Sequence, residues 1–155
     1  MSSGSYNHDF IIPNRLAQGA FPGNTPKIFE HFDVVVYTAE ECQPKFRNLP
    51  RGKQAYYAQL DDDIYRPVSQ EIARNLWQLA GTCADHVRRG HRVLITCYMG
   101  ANRSGLLMGL TLMRLNGMSG ANAVALIKQR RTSSEQEALS NPMFEQFLRN
   151  TYAIR

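Results

Sequence analysis

Apolar positions along the chain follow two periods that take turns. Short β-branched or aromatic runs near Arg15 to Ala20, Asp33 to Tyr37, Ala55 to Leu60 and Arg92 to Thr96 have the length and composition of strands. Helical spacing follows them. Ile72, Leu76, Leu79, Ala80, Cys83 and Val87 mark one face of a long helix near Ser69 to Arg89, with Ser69 placed as its N-cap. Ser104 to Asn116 is apolar enough for a buried helix. Ala121, Val124, Ala125 and Ile127 follow a Ser119 cap, and Phe144, Phe147 and Leu148 follow Asn141 and Pro142, a favourable helix start. A shorter helix is expected near Thr25 to His31. Alternation of this kind predicts an α/β fold, a single domain with a central, mainly parallel β-sheet flanked by helices.

Length agrees with one domain, since 155 residues with 43% hydrophobic content bury one ordinary core. Residues 1–8 are expected to form a flexible N-terminal tip and residues 9–155 the folded domain. No run approaches the roughly 18 apolar residues of a membrane span, and MSSGSYNHDF lacks the basic-then-apolar order of a signal peptide. A cytoplasmic protein without membrane partners is expected. The three cysteines have no paired spacing, so neither a disulfide framework nor a zinc site is implied. Cys83 falls on the apolar helix face and Cys42 in a loop. His8, His31, His86 and His91 have no ligand spacing and read as surface or helix-end residues. No metal or other cofactor is expected. The net charge of +5 favours anionic partners.

The chemistry concentrates where the strand ending at Thr96 runs into ITCYMGANRSG. Cys97 lies between that strand and a helix N-terminus, where unpaired N–H groups and the helix dipole hold phosphate and favour the ionised form of a thiol. Gly100 can adopt positive φ, which lets successive N–H groups turn inward as an anion nest. Arg103 adds a planar fork matched to two phosphoryl oxygens. Ser104 can donate to the Cys97 sulfur. Each residue alone has an ordinary structural reading, a core cysteine or a solvated arginine; their joint occurrence at this junction points to a phosphate-binding nucleophile loop.

Cysteine, five residues, arginine, then serine or threonine is the signature of the cysteine-dependent protein phosphatases, and the chain resembles their small dual-specificity branch. IIPNRLAQGAFP resembles that family's entry strand, HFDVVVYTAEE its second strand and loop, and LSNPMFEQFL its closing helix. One position departs from the pattern: Thr96 stands where a histidine usually precedes the nucleophile. The resemblance implies a general acid on the loop LDDDIYRPVS, between a strand and the Ser69 cap. Counting back from the cap favours Asp62, with Asp63 and then Asp61 as alternatives. The three neighbouring carboxylates also have the composition of a solvated turn, although like charges side by side favour a protonated member.

The implied enzyme is a phosphomonoester hydrolase without a cofactor. Its candidate catalytic residues are Cys97, Arg103, Asp62 and Ser104, and its candidate phosphate contacts are Tyr98, Met99, Gly100, Ala101, Asn102 and Arg103. Arg131, at the end of a helix, is added as a contact for a second phosphate or an acidic flank. Phosphotyrosine and phosphoserine or phosphothreonine in a phosphoprotein or phosphopeptide are the expected substrates. The basic chain and Asn102 keep an RNA 5′-triphosphatase of the same fold open, and a phosphate-binding module with little turnover is the reading from a different class.

Overall fold

Every second residue of a strand faces the same side of its sheet, and this alternation divides the core in two. The computed structural model describes residues 6–46 and 48–151. Its strands are β1 (His8–Ile12), β2 (Leu16–Gly19), β3 (Val34–Ala39), β4 (Gln54–Leu60) and β5 (Val93–Thr96), and its α-helices are α1 (Gln70–Arg88), α2 (Arg103–Asn116), α3 (Gly120–Arg130) and α4 (Pro142–Asn150). Leu16, Val34, Val36, Val93 and Ile95 face one side, where Leu76 and Cys83 of α1, Leu106 and Leu110 of α2, Ile127 of α3 and Leu148 of α4 pack on them. Ala17, Val35, Tyr37 and Leu94 face the other, covered by Phe29, Phe32 and the partly buried Phe10, Phe21 and Phe46.

The sheet order is β1-β2-β5-β3-β4. β2, β5, β3 and β4 are parallel neighbours, while β1 pairs antiparallel with β2. Parallel strands put their carboxyl ends on one edge, the usual ligand edge of such sheets. The segments leaving that edge carry Ala20 and Phe21 after β2, Glu41 and Cys42 after β3, Asp61 to Asp63 after β4, and Cys97 after β5.

The helix ends follow local chemistry. Ser69 Oγ accepts from Ile72 N–H (3.2 Å), Ser119 Oγ from Asn122 N–H (3.1 Å) and Asn141 Oδ1 from Met143 N–H (2.9 Å), each closing one of the donors that a helix start leaves open. On α1 the buried stripe is Ala73, Leu76, Ala80, Cys83 and Ala84, whereas Ile72 is exposed beside the edge strand β4.

Several expectations are corrected. The helix expected near Thr25 to His31 is a 3-10 segment, Pro26–Glu30, five residues long, a short connector of the kind 3-10 turns supply, though slightly longer than their usual run. The first strand is His8–Ile12, which the expected order of elements lacks; it turns back at Asn14, whose φ of 61° an asparagine tolerates. Of the expected flexible tip, residues 1–5 lie outside the described residues, whereas the Tyr6 hydroxyl donates to Ala20 O (2.5 Å) and the Asn7 amide to Ser133 O (2.6 Å). His86 lies in the last turn of α1, one of the two placements expected for it, but is buried, bonded to Tyr56 Oη (2.9 Å) and His91 Nδ1 (2.8 Å). Among the described residues, no helix is long and apolar enough to cross a membrane.

Candidate active site

Cys97 is the first residue past β5 and is 3% exposed, at the base of a loop that runs to the start of α2. An account of the loop carbonyls shows how its backbone is turned. Tyr98 O accepts from Phe21 N–H (3.1 Å), Met99 O from Arg131 Nη2 (3.3 Å), Gly100 O from Arg131 Nε (2.8 Å), and Ala101 O from Leu139 N–H (3.1 Å). Each carbonyl is thereby tied back to the body of the protein. Among the described residues, no N–H from Tyr98 to Asn102 donates to a protein acceptor. The loop thus presents consecutive free donors, the arrangement of an anion nest. Gly100 has φ 72°, and a Cβ there would run into the Gly19–Ala20 peptide.

These contacts correct the expectation for Arg131. Its side chain is fully buried behind the loop, with Nη1 on Asp9 Oδ2 (2.8 Å) and Nη2 on Asn7 Oδ1 (2.5 Å) in addition to the two loop carbonyls. Every guanidinium nitrogen is engaged in this way, so Arg131 shapes the loop from behind and offers nothing to a second phosphate.

Arg103 opens α2 and is 7% exposed. Glu41, on the segment after β3, grips its two terminal nitrogens at 2.5 and 2.6 Å, and Nη1 also reaches Leu60 O (3.2 Å). The hydrogen bonding to Arg103 holds the Glu41 carboxyl below its usual range. The remaining donor, Arg103 Nε, is buried and has no partner among the described residues. Asn102 is the N-cap of α2 but makes no side-chain cap bond, which leaves the first N–H groups of that helix open as well.

The sulfur lies 3.3 Å from Ser104 Oγ, and Ser104 Oγ is 3.2 Å from Gln18 Nε2. Thr96 donates its hydroxyl to Val36 O (2.8 Å) across the sheet, so the position usually held by histidine is spent on strand pairing. Cys42 lies in the loop after β3, as expected, and is buried there against Ala39 and Cys97; burial pushes its thiol up.

The three aspartates separate by their partners. Asp61 is exposed. Asp63 folds back on its own loop, with Oδ1 accepting from the N–H groups of Tyr65 (2.8 Å) and Arg66 (3.3 Å). Asp62 turns toward the Cys97–Arg103 loop: Oδ2 accepts from Asn102 Nδ2 (3.2 Å) and Oδ1 from Asn141 Nδ2 (2.6 Å). The side chain of Asn102 therefore faces Asp62, and only its backbone faces the cradle. Tyr98 is 58% exposed on the rim.

Glu41, Gln18 and Asn141 enter the site beyond the residues expected from sequence. Gln18 had one signal, a polar residue sharing the core-facing side of β2 with Leu16. Glu41 had none beyond its charge, and Asn141 was visible only as a cap.

A profile of the dual-specificity phosphatase catalytic domain matches residues 23–148. The chain belongs to that family. It is a cysteine-dependent phosphatase domain with a fold shared by solved relatives. Tk-PTP in its active form is 23% identical with a TM-score of 0.72, over 92% of this chain and 93% of that one. Human DUSP28 is 21% identical with a TM-score of 0.71, over 92% and 90%. DUSP15 is 19% identical with a TM-score of 0.69, over 90% and 83%. No curated protein sequence matches the chain.

Proposed function

We propose that this phosphatase domain hydrolyses phosphomonoesters on proteins, accepting phosphotyrosine as well as phosphoserine and phosphothreonine, through a phosphocysteine intermediate. The observation that carries the reading is the buried, unpaired Nε of Arg103, at the end of a loop whose carbonyls are tied back and whose N–H groups are free. A buried charged donor without a partner is costly, and a phosphoryl oxygen supplies the missing acceptor.

In the first step the Cys97 sulfur attacks phosphorus while the backbone donors and Arg103 hold the equatorial oxygens. Charge develops on those oxygens, and preorganised donors of this kind are the largest single contribution to such catalysis. Asp62 gives its proton to the departing phenol or alcohol, a contribution of roughly 10²–10⁴ in rate. In the second step water attacks the phosphocysteine, Asp62 takes the water proton, and the P–S electron pair returns to sulfur beside the Ser104 hydroxyl. Glu41 holds the far end of Arg103 so that Nε points to the phosphate. Protein groups meet every charge in this sequence, and the reaction needs no cofactor.

Substrate class is argued from what surrounds the cradle. Tyr98 to Asn102 add no charge, which suits a simple phosphomonoester better than a polyanion. Tyr98 on the loop and Ile64 and Tyr65 beyond Asp62 are exposed apolar side chains, suited to the side chain and flanks of a phosphopeptide. Three free cysteines are consistent with action in the cytoplasm.

The test is steady-state turnover of an aryl phosphate and of phosphotyrosine and phosphothreonine peptides. Wild type is expected to turn over all three, with Cys97→Ser inactive but still binding phosphopeptide. Equal inactivity of wild type and Cys97→Ser, with both binding, would make the domain a phosphate-binding module. Preferential release of the terminal phosphate from triphosphorylated RNA would replace the protein substrate with RNA.

A further inference from the structure

Gln18 is fully buried in a short strand among apolar neighbours, and its side-chain oxygen has no partner among the described residues. An amide buried with half its bonding unmet is unfavourable, so the reason for its presence lies with the nitrogen. Nε2 donates toward Gly100 O (3.1 Å), Ala101 O (3.4 Å) and Ser104 Oγ (3.2 Å). Turning the amide over would set its oxygen against two carbonyl oxygens, so the nitrogen belongs on the loop side. Two of these acceptors have another donor, Gly100 O from Arg131 and Ala101 O from the Leu139 N–H. Ser104 Oγ has none apart from the Cys97 thiol itself.

The geometry points to Gln18 as a positioning residue that aims the Ser104 hydroxyl proton at the Cys97 sulfur, an inference that rests on the phosphatase reading above. An amide N–H can only donate, so it fixes Ser104 Oγ as its acceptor. The single proton of Ser104 is then left with the sulfur 3.3 Å away as its partner among the described residues. The thiolate thus receives a directed O–H···S bond. The same bond meets the sulfur in the second step, when the water oxygen bonds to phosphorus, the P–S bond breaks and the electron pair remains on sulfur.

The pH profile of Cys97 alkylation by iodoacetamide tests this on the full chain. Peptide mass identifies the modified residue, so that Cys42 and Cys83 do not contribute. Ser104→Ala is expected to move the midpoint up by about one pH unit, the scale of one hydrogen bond to a charged group. Gln18→Met keeps the length and burial of the side chain but donates nothing, and moves the midpoint in the same direction by roughly half as much, since the hydroxyl remains but is no longer aimed. In the Ser104→Ala background Gln18→Met adds no shift, because the group it aims is gone. Additive shifts, or a Gln18→Met midpoint equal to wild type, overturn the proposal; Gln18→Leu provides the same comparison if the methionine disturbs the strand. Rapid-mixing kinetics give a second readout, in which Gln18→Met slows turnover after the burst more than the burst itself. Alkylation needs no turnover. An inactive wild type therefore sinks the phosphatase reading, while the alkylation series still decides whether Gln18 aims Ser104.

Discussion

Gly100 joins the two demands made on the loop after Cys97, a backbone turned to free its N–H groups and a close approach to the strand beside it. Its φ of 72° lies in the left-handed region, and the Gly19–Ala20 peptide occupies the space a Cβ would need. Gly100→Ala is therefore expected to lose about 1–3 kcal/mol of stability through backbone strain and crowding. It should also weaken binding of vanadate or tungstate at least tenfold, because any relief of the clash moves the donors. Isothermal titration alongside urea denaturation separates the two effects. Intact oxyanion binding in a destabilised protein would show that the loop tolerates the shift. At this scale the residue types of the candidate site were readable, since Cys97, Gly100, Arg103 and Ser104 sit together in sequence. Arg131 shows the opposite: its charge near the loop was visible, but side-chain direction depends on Asp9 and Asn7, more than a hundred residues earlier in the chain.

The start of α4 belongs both to a helix and to the surroundings of Asp62. Asn141 Oδ1 accepts from the N–H groups of Met143 and Phe144, while Nδ2 donates to Asp62 Oδ1 (2.6 Å) and Asp63 O (3.2 Å). One side chain caps the helix with its oxygen and orients Asp62 with its nitrogen. Asn141→Ala is expected to cost about 1 kcal/mol, the usual loss for an N-cap, and also to lower turnover. Asn141→Ser keeps a capping oxygen but has no nitrogen to reach Asp62. It should restore most of the thermal stability without restoring the rate. Because a poor leaving group depends most on its proton, an alkyl phosphate should suffer more than p-nitrophenyl phosphate in both variants. Equal losses on the two substrates would confine Asn141 to capping. Elements like α4 were legible because their caps lie next to their apolar stripes, as at Ser69 and Ser119. β1 was not, because a five-residue edge strand before a tight turn at Pro13 and Asn14 leaves too short a pattern to distinguish it from a tip.

For the whole molecule, what the linear pattern withheld is strand order. The α/β class followed from alternating periods, but the sheet places β5 between β2 and β3, and that order, with the parallel direction of the three strands, brings Gln18, Glu41 and Cys97 together at one edge. The same assembly creates burial and pairings that the unfolded chain lacks, so stability depends on pH in two ranges. His86 is buried beside Tyr56 and His91, and burial, then the neighbouring His91 and Arg89, lower its pKa against the weaker opposing pull of Asp85. The unfolded chain binds that proton near pH ~6.5 while the folded one resists it. Stability from this residue is thus full above about 6.5 and declines as pH falls toward the lowered folded value. The carboxylates act further down. Asp33 is lowered chiefly by the Arg92 N–H and then by Lys53, and Glu41 by Arg103. Burial works to raise Asp9, but the Ser133 and Arg131 hydrogen bonds outweigh it. Depressed carboxyls contribute stability above their unfolded values of about 4 and lose it as pH falls through the folded ones. The urea midpoint measured from pH 8 to pH 3 is therefore expected to be flat down to about 7, to fall modestly through the histidine range, and to drop again below about 4. His86→Gln keeps a polar side chain beside Tyr56 and removes the titration. It should erase the upper decline and leave the lower one; an unchanged upper decline would assign it to a group other than His86.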